Sequence, residues 1–261
     1  MKPYKFHPFL RSMIWGGDKI VRFKGINSSF SSIGESWEIS AVPGHESVVA
    51  ERGLADDVDC GLSLCQLIDK YQGKLVGEQV YKQFGNQFPL LIKFIDANQD
   101  LSVQVHPDDG YAARVENDRG KTEMWIVLEA AMGAELIFGT NRDFTQDELR
   151  SAIENGTLED LMNYVPVKAG DVFFIPAGLI HAIGSGILIA EIQQNCDTTY
   201  RVYDYNRRQA DGSLRALHID DAVACSRHFT DEEVEALQQQ EAENQEDNIV
   251  EASEMVSDVE E

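Results

Sequence analysis

Short apolar segments separated by turn residues fill the first two-thirds of the chain. Within these segments, β-branched and aromatic residues either alternate with polar ones or form continuous runs, as in half-buried and fully buried β-strands. Many short strands with Gly, Pro, Asn or Asp between them are typical of a barrel or a sandwich. The pattern predicts strands at residues 35–42, 46–50, 89–95, 101–106, 122–128, 171–175 and 187–192.

Helical spacing interrupts the strands at two places, near residues 62–84 and 144–163. In the second segment, Thr145 and Glu148 stand at the spacing of a capping box, which marks the start of a helix. No internal repeat is visible. The expected architecture is mainly β with small helical insertions, in one domain that extends over residues 1–229.

Acidic residues accumulate at the end of the chain, where 13 of them and no Lys or Arg lie between Asp231 and Glu261. This Gln- and Glu-rich segment lacks the apolar periodicity of a core helix, so residues 230–261 are expected to form a mobile or loosely docked helical tail. An alternative is a tail that binds a partner. The net charge of −23 argues against nucleic acid and anionic membranes as partners, because both require a positive surface.

The chain carries no sign of export or membrane insertion. No run of 18 or more apolar residues occurs, and the first residues lack the apolar core of a signal peptide. The four cysteines are scattered without a Cys-x-x-Cys pair, which is typical of free thiols in a reducing compartment. We therefore expect a cytoplasmic protein, and the sequence indicates no particular protein partner.

Polar side chains occupy alternate positions in two of the apolar strands. Because alternate residues of a strand share one face, each set projects together. Burial of such a set without partners is costly, and a metal ion would satisfy it. The sets are Ser102, Gln104 and His106 in one strand, and Lys121, Glu123 and Trp125 in the next.

A third segment supplies another imidazole. His181 follows the turn Pro176-Ala-Gly178, in which glycine permits backbone angles that other residues resist. If the three segments converge, His106, Glu123 and His181 surround one metal ion inside a small β-barrel.

The run from Gly170 to His181 resembles the second signature of the cupin superfamily, although Ser185 stands where that signature has Asn. The first cupin signature is matched poorly, since Gln104 replaces its first His and the Glu lies farther on, at Glu123. This departure itself resembles the type I mannose-6-phosphate isomerase (phosphomannose isomerase) family, over roughly residues 4–220. The motifs that carry the resemblance are Trp15-Gly-Gly17, Gly34-Glu-Ser-Trp-Glu38, Leu101-Ser-Val-Gln-Val-His-Pro-Asp108, Lys121-Thr-Glu-Met-Trp125, Ile175-Pro-Ala-Gly-Leu-Ile-His-Ala182 and Asp197-Thr-Thr-Tyr-Arg-Val-Tyr-Asp-Tyr-Asn206.

The resemblance implies a cupin, which is a jelly-roll-like β-barrel. It also implies one bound divalent metal ion, and Zn²⁺ is the ion expected before other divalent metals. It places the metal ligands at Gln104, His106, Glu123 and His181, and the catalytic groups at Arg201 and Glu191. It also associates Lys121 and Ser102 with a substrate phosphate. Lys93 is added because a lysine in an apolar strand is awkward to bury unless it meets an anion.

The implied reaction interconverts mannose 6-phosphate and fructose 6-phosphate through an enediolate, in which a metal and a positioned acid–base group suffice. No Gly-x-Gly-x-x-Gly dinucleotide fingerprint is present. Members of the family commonly carry a second β-domain, which is expected here to be truncated or replaced by the acidic tail. Two alternatives remain, namely a non-catalytic cupin that binds a sugar phosphate, and an Fe(II) oxygenase that uses two His and a carboxylate.

Overall fold

The computed structural model describes residues 3–26, 32–50, 58–209 and 211–240. The strands are β1 (Phe6–His7), β2 (Phe9–Gly17), β3 (Ile33–Ile39), β4 (Val48–Val49), β5 (Leu90–Ala97), β6 (Val103–Val105), β7 (Glu123–Ala130), β8 (Glu135–Thr140), β9 (Met162–Pro166), β10 (Val172–Ile175), β11 (His181–Ile183), β12 (Ile187–Gln194) and β13 (Tyr200–Tyr203). The helices are α1 (Lys19–Lys24), α2 (Leu64–Tyr71), α3 (Gly73–Val76), α4 (Glu78–Phe84), α5 (Asp109–Val115), α6 (Gln146–Asn155) and α7 (Ile219–Cys225), with a 3₁₀ turn at Leu158–Leu161.

The strands form two large antiparallel sheets. The six-stranded sheet has the order β10-β7-β12-β5-β3-β2, and the five-stranded sheet has the order β13-β6-β11-β8-β9. Among the described residues no ladder joins the two sheets, so the cupin is a two-sheet jelly roll rather than one closed ring of hydrogen-bonded strands. The mainly β architecture predicted from the sequence is confirmed.

The core lies between the sheets because both contribute alternate apolar side chains to it. Trp125, Val127 and Ile189 come from the six-stranded sheet, while Leu136 and Ile183 come from the other, and all belong to one buried cluster. Burial of this apolar area is the main source of stability in such a fold.

Helices lie in both segments where the sequence has helical spacing. Ser63 and Thr145 each form a capping box, at α2 and α6 respectively. In the second segment, α6 is followed by a 3₁₀ turn and then by β9. The chain also forms strands that the alternation did not reveal, notably β8, β9, β11 and β13, because they are short and gain their stability from neighbouring strands.

The first part of the acidic tail is helical over residues 231–240 and packs on the core through Val234 and Leu237. Thr230 caps it, since its hydroxyl accepts from the Glu233 amide and its own amide donates to the Glu233 carboxylate. The remainder, residues 241–261, lies outside the described residues, and so does the prediction of mobility made for it. In the part of the chain that is described, no helix has the length and apolar character needed to cross a membrane.

Candidate metal centre

Three buried side chains converge between the two sheets. His106 follows β6 and His181 opens β11 in the five-stranded sheet, while Glu123 opens β7 in the other. One ligand atom from each lies within 4.8 Å of the others. His106 Nε2 is 3.2 Å from Glu123 Oε1, and His181 Nε2 is 3.9 Å from Glu123 Oε2. The convergence predicted from three separate segments is therefore present.

Backbone carbonyls orient both imidazoles. The Nδ1 of His106 is 3.0 Å from the Thr198 oxygen, and the Nδ1 of His181 is 2.9 Å from the Leu179 oxygen. Each Nδ1 therefore carries the proton and donates it, which leaves each Nε2 with a lone pair aimed at Glu123. The Pro176–Gly178 turn helps to place His181: Gly178 has φ of +89° and donates its amide to the His106 carbonyl.

The protonation states of these groups suit a cation. Burial lowers the pKa of His106 to about 3, with the positive charge of Lys121 acting in the same direction, and burial also lowers the pKa of His181. Burial alone would raise the pKa of Glu123, but the positive charge of Lys121 acts most strongly against it, and that pKa lies well below its ordinary value. The centre thus presents two neutral nitrogens and one negative oxygen.

Among the described residues, two buried ligand atoms of this centre have no hydrogen-bond partner, His106 Nε2 and Glu123 Oε1. Lys121 Nζ lies 3.0 Å from Glu123 Oε1 and forms an ion pair with it. Buried acceptors without a partner are rare, and a divalent cation would supply one to His106 Nε2 and a second one to the Glu123 carboxylate. The residues present therefore fit a metal ion.

Gln104 lies beside the cluster. Its position on β6 is directly opposite His181 on one side and Arg201 on the other. Its amide nitrogen is 3.3 Å from His181 Nε2, and the amide turned over by 180° places its oxygen there instead. The fourth predicted ligand is thus within reach of the centre.

A buried ion pair lies next to the centre on the six-stranded sheet. Lys93 Nζ is 2.9 Å from Glu191 Oε1, and the Trp125 indole donates to Glu191 Oε2 at 2.9 Å. Burial and the nearby charge of Glu123 raise the pKa of Glu191 to about 7, even though Lys93 acts in the opposite direction. Glu191 can therefore exchange a proton near neutral pH.

A cavity of about 260 Å³ opens over this group and is bordered by both sheets. Seven of the nine residues singled out in the sequence line it, while His106 and His181 lie beneath them. The seven are Lys93, Ser102, Gln104, Lys121, Glu123, Glu191 and Arg201.

Among the described residues Arg201 forms no ion pair. Its Nε is buried without a hydrogen-bond partner among them, and one of its NH groups donates to the Ala216 carbonyl.

Other residues that line the cavity were missed in the sequence. Arg11 on β2 stands opposite Glu35 on β3, forms an ion pair with it at 3.1 Å, and lies 3.8 Å from Asp197. Arg215 completes the rim and pairs with Asp204. The only signal that the sequence offered for Arg11 and Glu35 was a charged residue within an apolar segment, because their facing positions depend on the pairing of β2 with β3.

Comparison with known proteins places this geometry in context. The family model "Phosphomannose isomerase type I, catalytic domain" matches residues 4–121. Mannose-6-phosphate isomerase ManA of Bacillus subtilis is 43% identical over 223 residues, which are 85% of this chain and 67% of that protein. The mannose-6-phosphate isomerase of Streptococcus mutans is 43% identical over 218 residues, or 82% of this chain and 64% of that protein. The chain thus spans about two-thirds of the length of these relatives.

Solved structures give the same grouping. The crystal structure of mannose 6-phosphate isomerase from Bacillus subtilis superposes with a TM-score of 0.77 at 36% identity, over 87% of this chain and 69% of that one. A putative mannosephosphate isomerase from Archaeoglobus fulgidus gives 0.71 at 25% identity, over 88% and 70%. A mannose 6-phosphate isomerase bound with zinc and yttrium shares the fold at a TM-score of 0.61 and 18% identity, over 85% of this chain and 74% of that one.

Proposed function

The chain belongs to the type I phosphomannose isomerase family, and from this premise we propose that its cavity interconverts mannose 6-phosphate and fructose 6-phosphate. The observation that carries the proposal is the placement of Glu191, with a pKa of about 7, next to the His106–Glu123–His181 centre. Aldose–ketose interconversion needs such a neighbour, because a proton must leave one carbon and return to the next.

We further propose that His106, Glu123, His181 and Gln104 hold one divalent ion, and that this ion is Zn²⁺. Two imidazoles, a carboxylate and an amide oxygen are all ligands that zinc accepts. When bound, the ion supplies a Lewis acid that polarises the sugar carbonyl. Lys121, paired with Glu123 at 3.0 Å, keeps that carboxylate ionised and oriented.

The proposed proton carrier is Glu191. Its carboxylate lines the cavity, and as a group with a pKa near 7 it is present in both protonation states at neutral pH. It removes the proton α to the carbonyl of the open-chain sugar and returns it to the adjacent carbon. Lys93 holds this carboxylate in place through their ion pair at 2.9 Å.

We propose that Arg201 stabilises negative charge on the substrate. Its guanidinium lines the cavity, and among the described residues its buried Nε has no hydrogen-bond partner, so it is available to an incoming oxyanion. Ser102, whose side chain also faces the cavity, supplies a hydroxyl for the phosphate. Lys93 and Lys121 contribute mainly positive potential, because a carboxylate already occupies each of them.

The test is a coupled assay of mannose 6-phosphate conversion by metal-loaded protein. Because we propose that the enzyme acts in the cytoplasm, the assay buffer imitates cytoplasmic conditions. Turnover that a chelator removes and Zn²⁺ restores is the expected result. Folded, zinc-loaded protein that binds mannose 6-phosphate without converting it would instead establish the non-catalytic sugar-phosphate-binding cupin. Consumption of dioxygen with Fe(II) would point to the oxygenase, which shares the two-His-one-carboxylate donor set.

A further inference from the structure

The indole of Trp125 joins the metal centre to the proposed proton carrier. Its side chain is fully buried, and its single N–H points at two carboxylates, 3.0 Å from Glu123 Oε2 and 2.9 Å from Glu191 Oε2. The ring also meets His181 edge-on at 5.3 Å. One donor therefore contacts both the charged ligand and the acid–base group.

Strand geometry produces this contact. Glu123 and Trp125 lie two positions apart on β7 and so share the inner face, while Glu191 on β12 stands directly opposite Trp125. The next strand continues the row, since Lys93 on β5 stands opposite Glu191. The row then reaches a second tryptophan, Trp37 on β3, which stands opposite Lys93.

The same Glu-x-Trp unit occurs on two strands of this row, β7 and β3. On β3, Trp37 is also fully buried and donates to Glu35 Oε2 at 2.7 Å, again two positions before it. Glu35, however, pairs with Arg11 and lies outside the metal cluster. The described residues thus contain two matching Glu-x-Trp hydrogen bonds, Trp125 to Glu123 and Trp37 to Glu35. Of these two, the bond to Glu123 is the one that reaches a proposed metal ligand.

The position of the Trp125 N–H has two consequences. An indole can only donate, so the oxygens it contacts are held as acceptors. Because Oε2 of Glu123 is bonded to the indole, Oε1 is the oxygen turned toward His106 and Lys121. Because Oε2 of Glu191 is bonded to the same hydrogen, Oε1 is the oxygen that meets Lys93. The shared donor also offsets the repulsion between two neighbouring carboxylates.

We propose that Trp125 is a positioning residue, whose shared N–H sets the orientation of Glu123 for metal binding and of Glu191 for proton transfer. The inference rests on the proposed function in treating the cluster as a metal centre. Hydrogen bonds of this kind behind a ligand typically change metal affinity by about 10- to 100-fold. Removal of the N–H is therefore expected to weaken metal binding as well as catalysis.

The first experiment compares Trp125→Phe with Trp37→Phe, two substitutions that remove the same atoms from fully buried sites. Zn²⁺ affinity is measured by competition with a chromophoric chelator. We expect the Kd of Trp125→Phe to rise by about 10- to 100-fold and that of Trp37→Phe to stay within about twofold of the parent. Equal affinities for the two variants would overturn the proposal, because general loosening of the core affects both.

The second experiment observes the unaltered protein and does not require Trp125→Phe to fold. The chain has three tryptophans, so a ¹⁵N–¹H spectrum resolves three indole N–H signals; Trp15→Phe and Trp37→Phe assign two of them, and the third belongs to Trp125. On addition of Zn²⁺, the Trp125 signal is expected to shift most, since its acceptor is a metal ligand. A shift equal to or smaller than that of Trp37 would contradict the role assigned to Trp125.

A kinetic measurement separates positioning from substrate binding. In the Zn²⁺-saturated Trp125→Phe variant, kcat for mannose 6-phosphate should fall at least about tenfold while KM changes less than about threefold. A rise in KM alone would count against positioning of Glu191. If the unaltered protein binds Zn²⁺ but converts no sugar, the proposed function fails, whereas the indole proposal is still decided by the affinity ratio and the spectrum.

Discussion

Lys93 and Glu191 form an ion pair of 2.9 Å at directly opposed positions of two neighbouring strands, β5 and β12. Both side chains are almost fully buried, with 6% and 3% exposed. The burial of each charge is tolerable only because the other is present, since removal of one partner leaves an uncompensated charge in the core. Burial alone would lower the pKa of Lys93, but Glu191 and Glu35 outweigh it and raise that pKa above its ordinary value.

This pairing predicts a measurable coupling free energy. Lys93→Met alone should lower the free energy of unfolding by about 3–5 kcal/mol, because Glu191 is left buried without its partner. The double variant Lys93→Met/Glu191→Gln should recover part of that loss. Urea denaturation of the parent, the two single variants Lys93→Met and Glu191→Gln, and the double variant measures the coupling free energy. Strict additivity of the two single losses would show that the pair does not interact.

Glu191→Gln should abolish proton transfer without emptying the metal centre. The expected loss in kcat is about 10²- to 10⁴-fold, the usual contribution of a positioned acid–base group, with Zn²⁺ content unchanged. Glu129→Gln, at an exposed position near the end of β7, is the control and should retain parent activity. A Glu191→Gln variant with normal kcat would remove Glu191 from the mechanism.

His181→Ala should lose the metal. Its ring is fully buried, and its Nδ1 is fixed by the Leu179 carbonyl, so its Nε2 faces Glu123 and Gln104 inside the proposed metal centre. Elemental analysis after gel filtration should find Zn²⁺ in the parent and in the exposed-surface control His7→Ala, but not in His181→Ala. Equal zinc in all three would exclude His181 as a ligand.

The hydrogen bonds of Asp59 predict how the free energy of unfolding changes at low pH. A hydrogen bond from Lys70, together with those from Tyr4 and Tyr71, holds the pKa of Asp59 below its ordinary value despite burial. A carboxyl whose pKa is lowered on folding contributes stability above its unfolded pKa of about 3.9, and this contribution is lost as the pH falls through the folded value. The free energy of unfolding should therefore decline below about pH 4 more steeply in the parent than in Asp59→Asn.

Urea titrations at a series of pH values measure the difference between these two curves. Asp69→Asn, on the exposed side of α2, serves as the control and should keep the parent's pH dependence. Parallel curves for parent and Asp59→Asn would show that Asp59 contributes nothing to the acid response.

Two truncations separate the roles of the acidic tail. A chain that ends at residue 240 should keep the parent kcat within about twofold, since the described residues up to that point supply the metal centre and the lining of its cavity. A chain that ends at residue 230 should be less stable, because it loses the buried contact of Val234 with the core. Thermal denaturation and the coupled assay measure both; a large loss of kcat in the longer truncated chain would mean that the tail contributes to the site.

Several features followed from the sequence by itself because they depend on local geometry. Alternation along a strand placed Gln104 next to His106, and Glu123 next to Trp125, on shared faces. The capping boxes at Ser63 and Thr145 depend on residues three positions apart, and Thr145 was read directly from that spacing. The motif order also indicated the family, and with it the segments that carry each proposed metal ligand.

Only the tertiary structure decided which charged groups meet. Lys93 was predicted to meet an anionic substrate, yet the pairing of β5 with β12 gives it Glu191. The register between strands that are distant in the chain determines this contact, and no local pattern encodes that register. For the same reason, the shared indole hydrogen of Trp125 and the positions of Arg11 and Arg215 at the cavity became visible only when the sheets were assembled.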